Sequence, residues 1–168
     1  MVNGVANTLP QASDRILKFT GCFDFVLDAK GRGSTPVRIR EVLDMYGVNS
    51  ITLRLMPFDK LSCIRAYPTS YYNETILGKL TEYEEGETSD DTFAIMLLTA
   101  NAHQIKLDGQ GRINFPADLL KDASIQKELR FVGMGNFFDI WNPESFKAFQ
   151  TAQIAKRAEL KGASEAGT

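Results

Sequence analysis

The sequence predicts an α+β, β-rich fold made of two similar halves, and three observations carry that reading. The stretch LDAKGRGSTP at 27–36 returns as LDGQGRINFP at 107–116, eighty residues later. Each copy follows a run in which apolar and polar residues alternate, the period of a strand. Each copy also precedes a helical stripe and then two more extended runs. One strand–turn–strand unit leaves edges and an apolar face uncovered. Two copies in one chain can cover each other around a pseudo-two-fold axis, as a small barrel.

The elements follow in order. Residues 1–18 read as a flexible N-terminal extension, since 1–14 lack periodicity. The first half spans 19–81. Phe23, Phe25 and Leu27 fall on one strand face, with Asp24 and Val26 on the other. Asp28 and Gly31 then mark a turn: Asp can bond backbone N–H groups two residues on, and Gly accepts positive φ. Gly33–Thr35 reads as the return strand. Thr35 can cap the next helix and Pro36 suits its first position. Ile39, Val42, Leu43 and Tyr46 form one apolar stripe, with Arg38, Glu41 and Asp44 off it. Extended runs at 50–55 and 63–67 follow, and YPTSYY at Tyr67 starts a helix.

A spacer, 82–101, is acidic at first and then helical, with Phe93, Met96, Leu97 and Ala100 on one face. The second half spans 102–161. His103, Ile105 and Leu107 alternate with Gln104 and Lys106 before a turn marked by Asp108 and Gly111. Ile113–Phe115 is its return strand. A shorter helix, Pro116–Ala123, carries Leu119, Leu120 and Ala123. Runs at 129–132 and 137–141 lead to NPESF, where Asn142 caps a helix and Pro143 opens it. Residues 162–168 read as a mobile tail.

Bulk properties narrow the function. The chain fits one domain, or two halves sharing a core. No apolar run reaches 18 residues, so no membrane span is expected. The N-terminus has no basic cluster followed by an apolar stretch, so no signal peptide is expected. Cys22 and Cys63 form neither a disulfide framework nor a metal pattern, and read as reduced, buried thiols in a cytoplasmic protein. His103 is the one histidine and has no nucleophile–acid arrangement around it; it reads as a core or subunit-contact residue. Gly31-Arg32-Gly33 lacks the ending of a phosphate loop. The acidic stretch 82–91 lacks the ligand spacing of a calcium loop and reads as a solvated linker. No enzyme, cofactor, metal or small-molecule substrate is expected. Trp141, beside Phe137 and Phe138, reads as core or interface.

Net charge is −2, which disfavours a nucleic-acid partner, but the charge is uneven. Arg15, Lys18, Lys30, Arg32, Arg38 and Arg40 face only Asp24 and Asp28 within 15–40, while 82–91 holds six acids and no base. An arginine at a β-turn can fork to guanine O6 and N7, or to phosphate. For Arg32 the other reading is a pair with Asp28 that holds its own turn; Arg112 can do either or both. Lys30 suits phosphate as a point charge. Arg38 and Arg40, near the first turn of a helix, suit phosphate or a solvated face. Arg15 and Lys18 could form a basic arm.

The repeated Asp-x-x-x-Arg, the stretch FTGCFDFVLDAKGRGSTPVRIREVL, the stretch LLTANAHQIKLDGQGRINFPADLL and the close RFVGMGNFFDIWNPESF together resemble the MraZ family of bacterial transcriptional regulators, related to the AbrB and MazE DNA-binding folds. The match covers about 19–147. The resemblance implies two tandem AbrB-like halves in a pseudo-two-fold double-split barrel. It implies an octameric or dodecameric homo-oligomeric ring, nucleoid-associated, bound to double-stranded DNA at short G-rich direct repeats upstream of the division and cell-wall operon. It implies that Lys30, Arg32, Arg38 and Arg112 contact DNA, with Arg40 beside them, and that Asp28, Gly31, Asp108 and Gly111 shape the loops. The chain departs from the family pattern at Thr20, where a basic residue is usual, at Gly109-Gln110 in the second loop, at Asn101-Ala102-His103, and in its longer N-terminus. A different use of the same fold is a protein-interaction module, either an oligomeric scaffold or an antitoxin-like partner.

Overall fold

The computed structural model describes residues 18–82 and 88–166. Arg15, most of the expected N-terminal extension and Glu84, Glu85 and Glu87 of the acidic stretch lie outside them. In the first half, β1 (Cys22–Val26) enters the first turn and β2 (Arg32–Ser34) leaves it; α1 (Val37–Met45), β3 (Ser50–Phe58) and β4 (Leu61–Pro68) follow. The second half repeats the series as β5 (His103–Lys106), β6 (Arg112–Asn114), α4 (Ala117–Asp122), β7 (Glu128–Gly133) and β8 (Phe138–Trp141). Between the halves lie α2 (Thr69–Tyr71), which continues as a π turn and a 3-10 segment to Glu82, and α3 (Ser89–Thr99). The long α5 (Pro143–Glu165) closes the described chain.

The β2 and β6 strands do not fold back on the strands before them, as a simple hairpin would. They pair with each other, antiparallel, across the two halves. Each is three residues long, too short to sustain a hairpin, and the facing half supplies its backbone partners. Thr35 N–H bonds Gly111 O and Phe115 N–H bonds Gly31 O, extending the ribbon at both ends. The remaining strands form one antiparallel sheet in the order β1-β7-β8-β4-β3-β5. Exchanging β1–β4 with β5–β8 leaves that order unchanged. Strand pairing closes no barrel: the sheet keeps two edges, β1 and β5, and the ribbon stands apart from it.

The period of 2 along each strand sorts the sheet into two faces. Leu53, Ile64, Ala66, Leu129, Phe131, Phe138 and Ile140 point to the main core, together with Ile39 and Leu43 of α1 and Leu119 of α4. Burial of Ile39 and Leu43, both fully enclosed, contributes about 2 kcal/mol each. The other face carries Arg65, Asp139 and Trp141, and Phe146 and Phe149 in the first turns of α5 pack over its Trp141 end. Trp141 stacks on Phe58 at 5.5 Å and meets Phe149 at 5.1 Å, a core role. Arg65 makes a two-pronged bond to Asp139 at 2.7 and 2.9 Å, directly across the β4–β8 pair, and its guanidinium lies 4.1 Å from the Phe137 ring centre. Burial pushes the Asp139 carboxyl up, and Arg65 counters it. At the open edge, Arg130 binds Asp24 the same way at 2.6 and 2.7 Å and ties β1 to β7.

Several local expectations meet corrections. Thr35 caps nothing; its hydroxyl is buried without a partner among the described residues, and Pro36 occupies the cap position of α1. Thr35 sits against the core, so its side chain turns inward rather than toward the helix. Asn142, by contrast, caps α5 as expected, accepting from Glu144 N–H and Ser145 N–H. Helix α5 runs on to Glu165, past the expected tail boundary at 162. Helix α3 turns Ala94, Ile95 and Leu98 toward the protein, while Phe93, Met96 and Leu97 are about half exposed. The helix is apolar almost all round, so periodicity could not choose its inward side. Cys63 is buried but Cys22 is exposed.

Candidate nucleic-acid interface

The two Asp-x-x-Gly-Arg turns have the same geometry. In the first, Asp28 Oδ1 accepts from the N–H groups of Lys30 and Arg32, both at 2.9 Å, and Oδ2 accepts from Arg32 Nε at 2.7 Å. In the second, Asp108 Oδ1 accepts from Gln110 and Arg112 N–H at 2.9 Å, and Oδ2 from Arg112 Nε at 2.6 Å. Gly31 and Gly111 sit at φ +72° and +71°, a conformation a side chain would strain. Gly31 N–H and Gly111 N–H close the turns onto Asp28 O and Asp108 O at 3.0 and 2.9 Å. These bonds stabilise the ionised aspartates. The backbone N–H of Arg112, then its side chain, holds the Asp108 carboxyl down at about 2, and Asp28 is lowered through Arg32 in the same way.

The ribbon then fixes where the arginines face. Arg32 stands opposite Asn114, Gly33 opposite Ile113, and Ser34 opposite Arg112. Alternation puts Gly33 and Ile113 on one side, where both are buried. Arg32, Ser34, Arg112 and Asn114 therefore share the outer side. The two arginines occupy opposite corners, two residues or about 7 Å apart along the strands. A two-stranded ribbon is narrow enough for a major groove about 12 Å wide.

Each arginine is thus paired with the aspartate of its own loop, the structural alternative of the two read from the sequence. The pairing uses Nε alone. Among the described residues no hydrogen bond leaves Nη1 or Nη2 of either, so the forked end remains able to donate. Lys30 is exposed at the first turn and Gln110 takes its place in the second. Arg38 is exposed on the first turn of α1, and Lys18 is exposed before the first strand. Arg40 lies elsewhere: its Nη1 donates to Gln110 O at 3.0 Å, beneath the second turn. His103 is half-buried, with Nε2 3.7 Å from an Asp118 carboxylate oxygen. Ser34 and Asn114 were not singled out from the sequence, although each stands two residues beyond an arginine and so on its face. Among the described residues, no helix is long and apolar enough to cross a membrane, and no three His, Cys, Asp or Glu side chains are grouped to hold a metal ion.

The sequence motifs also meet in space. Phe19 N–H and Gly135 N–H bond reciprocally to each other's carbonyls, and Gly133 N–H bonds Gly21 O. A Cβ on Gly133 would lie 2.4 Å from Thr20 N, so only glycine allows that crossing. The opening Phe-Thr-Gly and the Val-Gly near the end of the chain are therefore one contact. The chain is 34% identical over 145 residues to the transcriptional regulator MraZ of Azotobacter vinelandii, covering 86% of this chain and 92% of that protein. The chain belongs to the MraZ family. The regulator MraZ of Rickettsia bellii is 33% identical over 125 residues, 73% of this chain and 79% of its own length. That of Rhodospirillum rubrum is 31% identical over 130 residues, with 77% and 83% covered. A family model described as "MraZ protein, putative antitoxin-like" matches residues 98–165.

Proposed function

We propose that this chain is a transcriptional regulator, not an enzyme, that binds double-stranded DNA through the outer side of the β2–β6 ribbon. The observation that carries this is the pairing of two arginine turns of matching hydrogen-bond geometry on one exposed ribbon whose other side is buried. The aspartates orient each guanidinium before binding, which lowers the ordering cost at the moment of contact. Arg32 and Arg112 then offer their Nη donors to guanine O6 and N7, as short G-rich direct repeats would require. Lys30 and Arg38 neutralise phosphates alongside. The expectation of a pseudo-two-fold double-split barrel, with AbrB-like halves at 19–81 and 102–161, is supported by the symmetric strand order.

One ribbon meeting a few phosphates binds weakly and loses affinity steeply with salt. Several copies in a closed octameric or dodecameric ring, each meeting one repeat, raise the effective concentration. The exposed Phe93, Met96 and Leu97 of α3 supply apolar surface that a second copy would cover. The site on the DNA would be the direct repeats upstream of the division and cell-wall operon, and the protein would sit on the nucleoid in the cytoplasm.

The test is a footprint of the purified chain on the DNA upstream of its own gene, repeated at several salt concentrations. Protection of regularly spaced G-rich repeats, fading linearly in log affinity with log salt, is the expected result. No protection at low salt would refute the reading and favour the protein-interaction module.

A further inference from the structure

Arg40 stands on α1 of the first half, yet its guanidinium reaches the turn of the second. Besides the bond to Gln110 O, its stem covers Gly111 so closely that a Cβ there would lie 2.6 Å from Arg40 Cδ. The matching position in the second half, four residues after Pro116, is Leu120. Its Cδ1 lies 3.9 Å from where a Cβ on Gly31 would sit. Each turn thus rests on a helix side chain from the opposite half. The first rests loosely on an apolar group. The second rests tightly on a cation bonded to its backbone.

The two loops differ where this support differs. Residues 29–30 are Ala-Lys in the first and 109–110 are Gly-Gln in the second. Gly109 gives the second loop more freedom to lose on ordering. A bond from Arg40 to the next carbonyl offsets that freedom at the residue directly before Gly111. We propose that Arg40 is a positioning residue: it holds Gln110 and Gly111 in the turn and so sets the aim of Arg112, and does not itself bind phosphate. What that aim serves rests on the DNA reading above; the bracing does not.

Two variants of the full chain test it. Arg40→Met keeps a stem over Gly111 and removes the donor, and Arg40→Lys keeps a charge with a single donor head. Hydrogen exchange read by mass spectrometry decides the bracing without DNA. Exchange across 109–112 should quicken about tenfold in Arg40→Met, the scale of one lost charge-assisted hydrogen bond, with 29–32 unchanged and Arg40→Lys in between. Equal protection in Arg40→Met and the wild type overturns the proposal. On the duplex protected in the footprint, Arg40→Met should bind about tenfold more weakly while its plot of log affinity against log salt stays parallel to the wild type. A slope shallower by about 0.9 for each bound copy would make Arg40 a phosphate contact and overturn the proposal. Combined with Arg112→Ala, Arg40→Met should add less than about a twofold loss, because the aim no longer matters; an undiminished loss also overturns it. If the wild type protects no DNA, the DNA reading fails, and the exchange result alone decides the brace.

Discussion

Replacing Gly111 by alanine separates the two turns, because the same change at Gly31 meets a different neighbour. Gly31 and Gly111 have the same positive φ, so alanine at either costs about 1.5 kcal/mol of backbone strain. At Gly31 the new methyl meets only Leu120 Cδ1 at 3.9 Å, an ordinary contact, and the cost stops there. At Gly111 the methyl would stand 2.6 Å from Arg40 Cδ and 2.9 Å from Nη1. Arg40 must swing away and lose its bond to Gln110, about 1.5 kcal/mol more for a partly buried charged donor. Gly111→Ala should therefore cost about 3 kcal/mol against about 1.5 for Gly31→Ala. In urea at matched protein concentration, a slope of about 2 kcal/mol per M separates their midpoints by about 0.8 M. In an Arg40→Ala background, where no δ-carbon remains, the separation should vanish. Equal midpoints in the parent protein, or a gap that survives Arg40→Ala, would refute the packing argument.

Other expectations follow from the same geometry. Asp139→Ala leaves the Arg65 guanidinium largely buried and unpaired, and should cost about 3–5 kcal/mol in the same urea assay; a loss under about 1 kcal/mol would mean water reaches Arg65 freely. The Asp108 carboxyl, followed by carbon-13 NMR, should titrate near 2. Because its folded value is depressed, the stability it contributes is full above the unfolded value near 4 and disappears as pH falls toward 2; a midpoint at 4 or higher would contradict the loop bonds. Cys22, exposed, should alkylate readily in the native protein, while Cys63, buried and pushed upward by desolvation, should react only on unfolding; rapid labelling of both would place Cys63 wrongly.

Much of this molecule was legible as local pattern. The apolar stripe Ile39, Val42, Leu43, Tyr46 faces inward because a period of 3.6 leaves little choice. The turns follow from Asp and Gly at fixed offsets, and the Asn142 cap from its place before Pro143. Pairing was harder, because β2 and β6 find each other eighty residues apart and each is too short to carry a register signal. Arg65 and Asp139 look like stray charges in two apolar strands until the sheet sets them face to face. Helix α3 failed on direction for a different reason: Phe93, Ala94, Ile95, Met96, Leu97 and Leu98 are all apolar, so no stripe stands out. In the site, the arginines were visible as repeated residues. The role of Arg40 was hidden, since it depends on a contact between a helix of one half and a turn of the other.

The account stands most directly on the outer corner of the ribbon, and one comparison reaches it. Wild type and Arg32→Ala would be footprinted side by side on the DNA upstream of the chain's own gene, with sedimentation recording the assembly. Protection lost in the variant while its sedimentation matches the wild type is the predicted result, with Arg112→Ala losing less. A variant that protects the same repeats at the same concentration would contradict it.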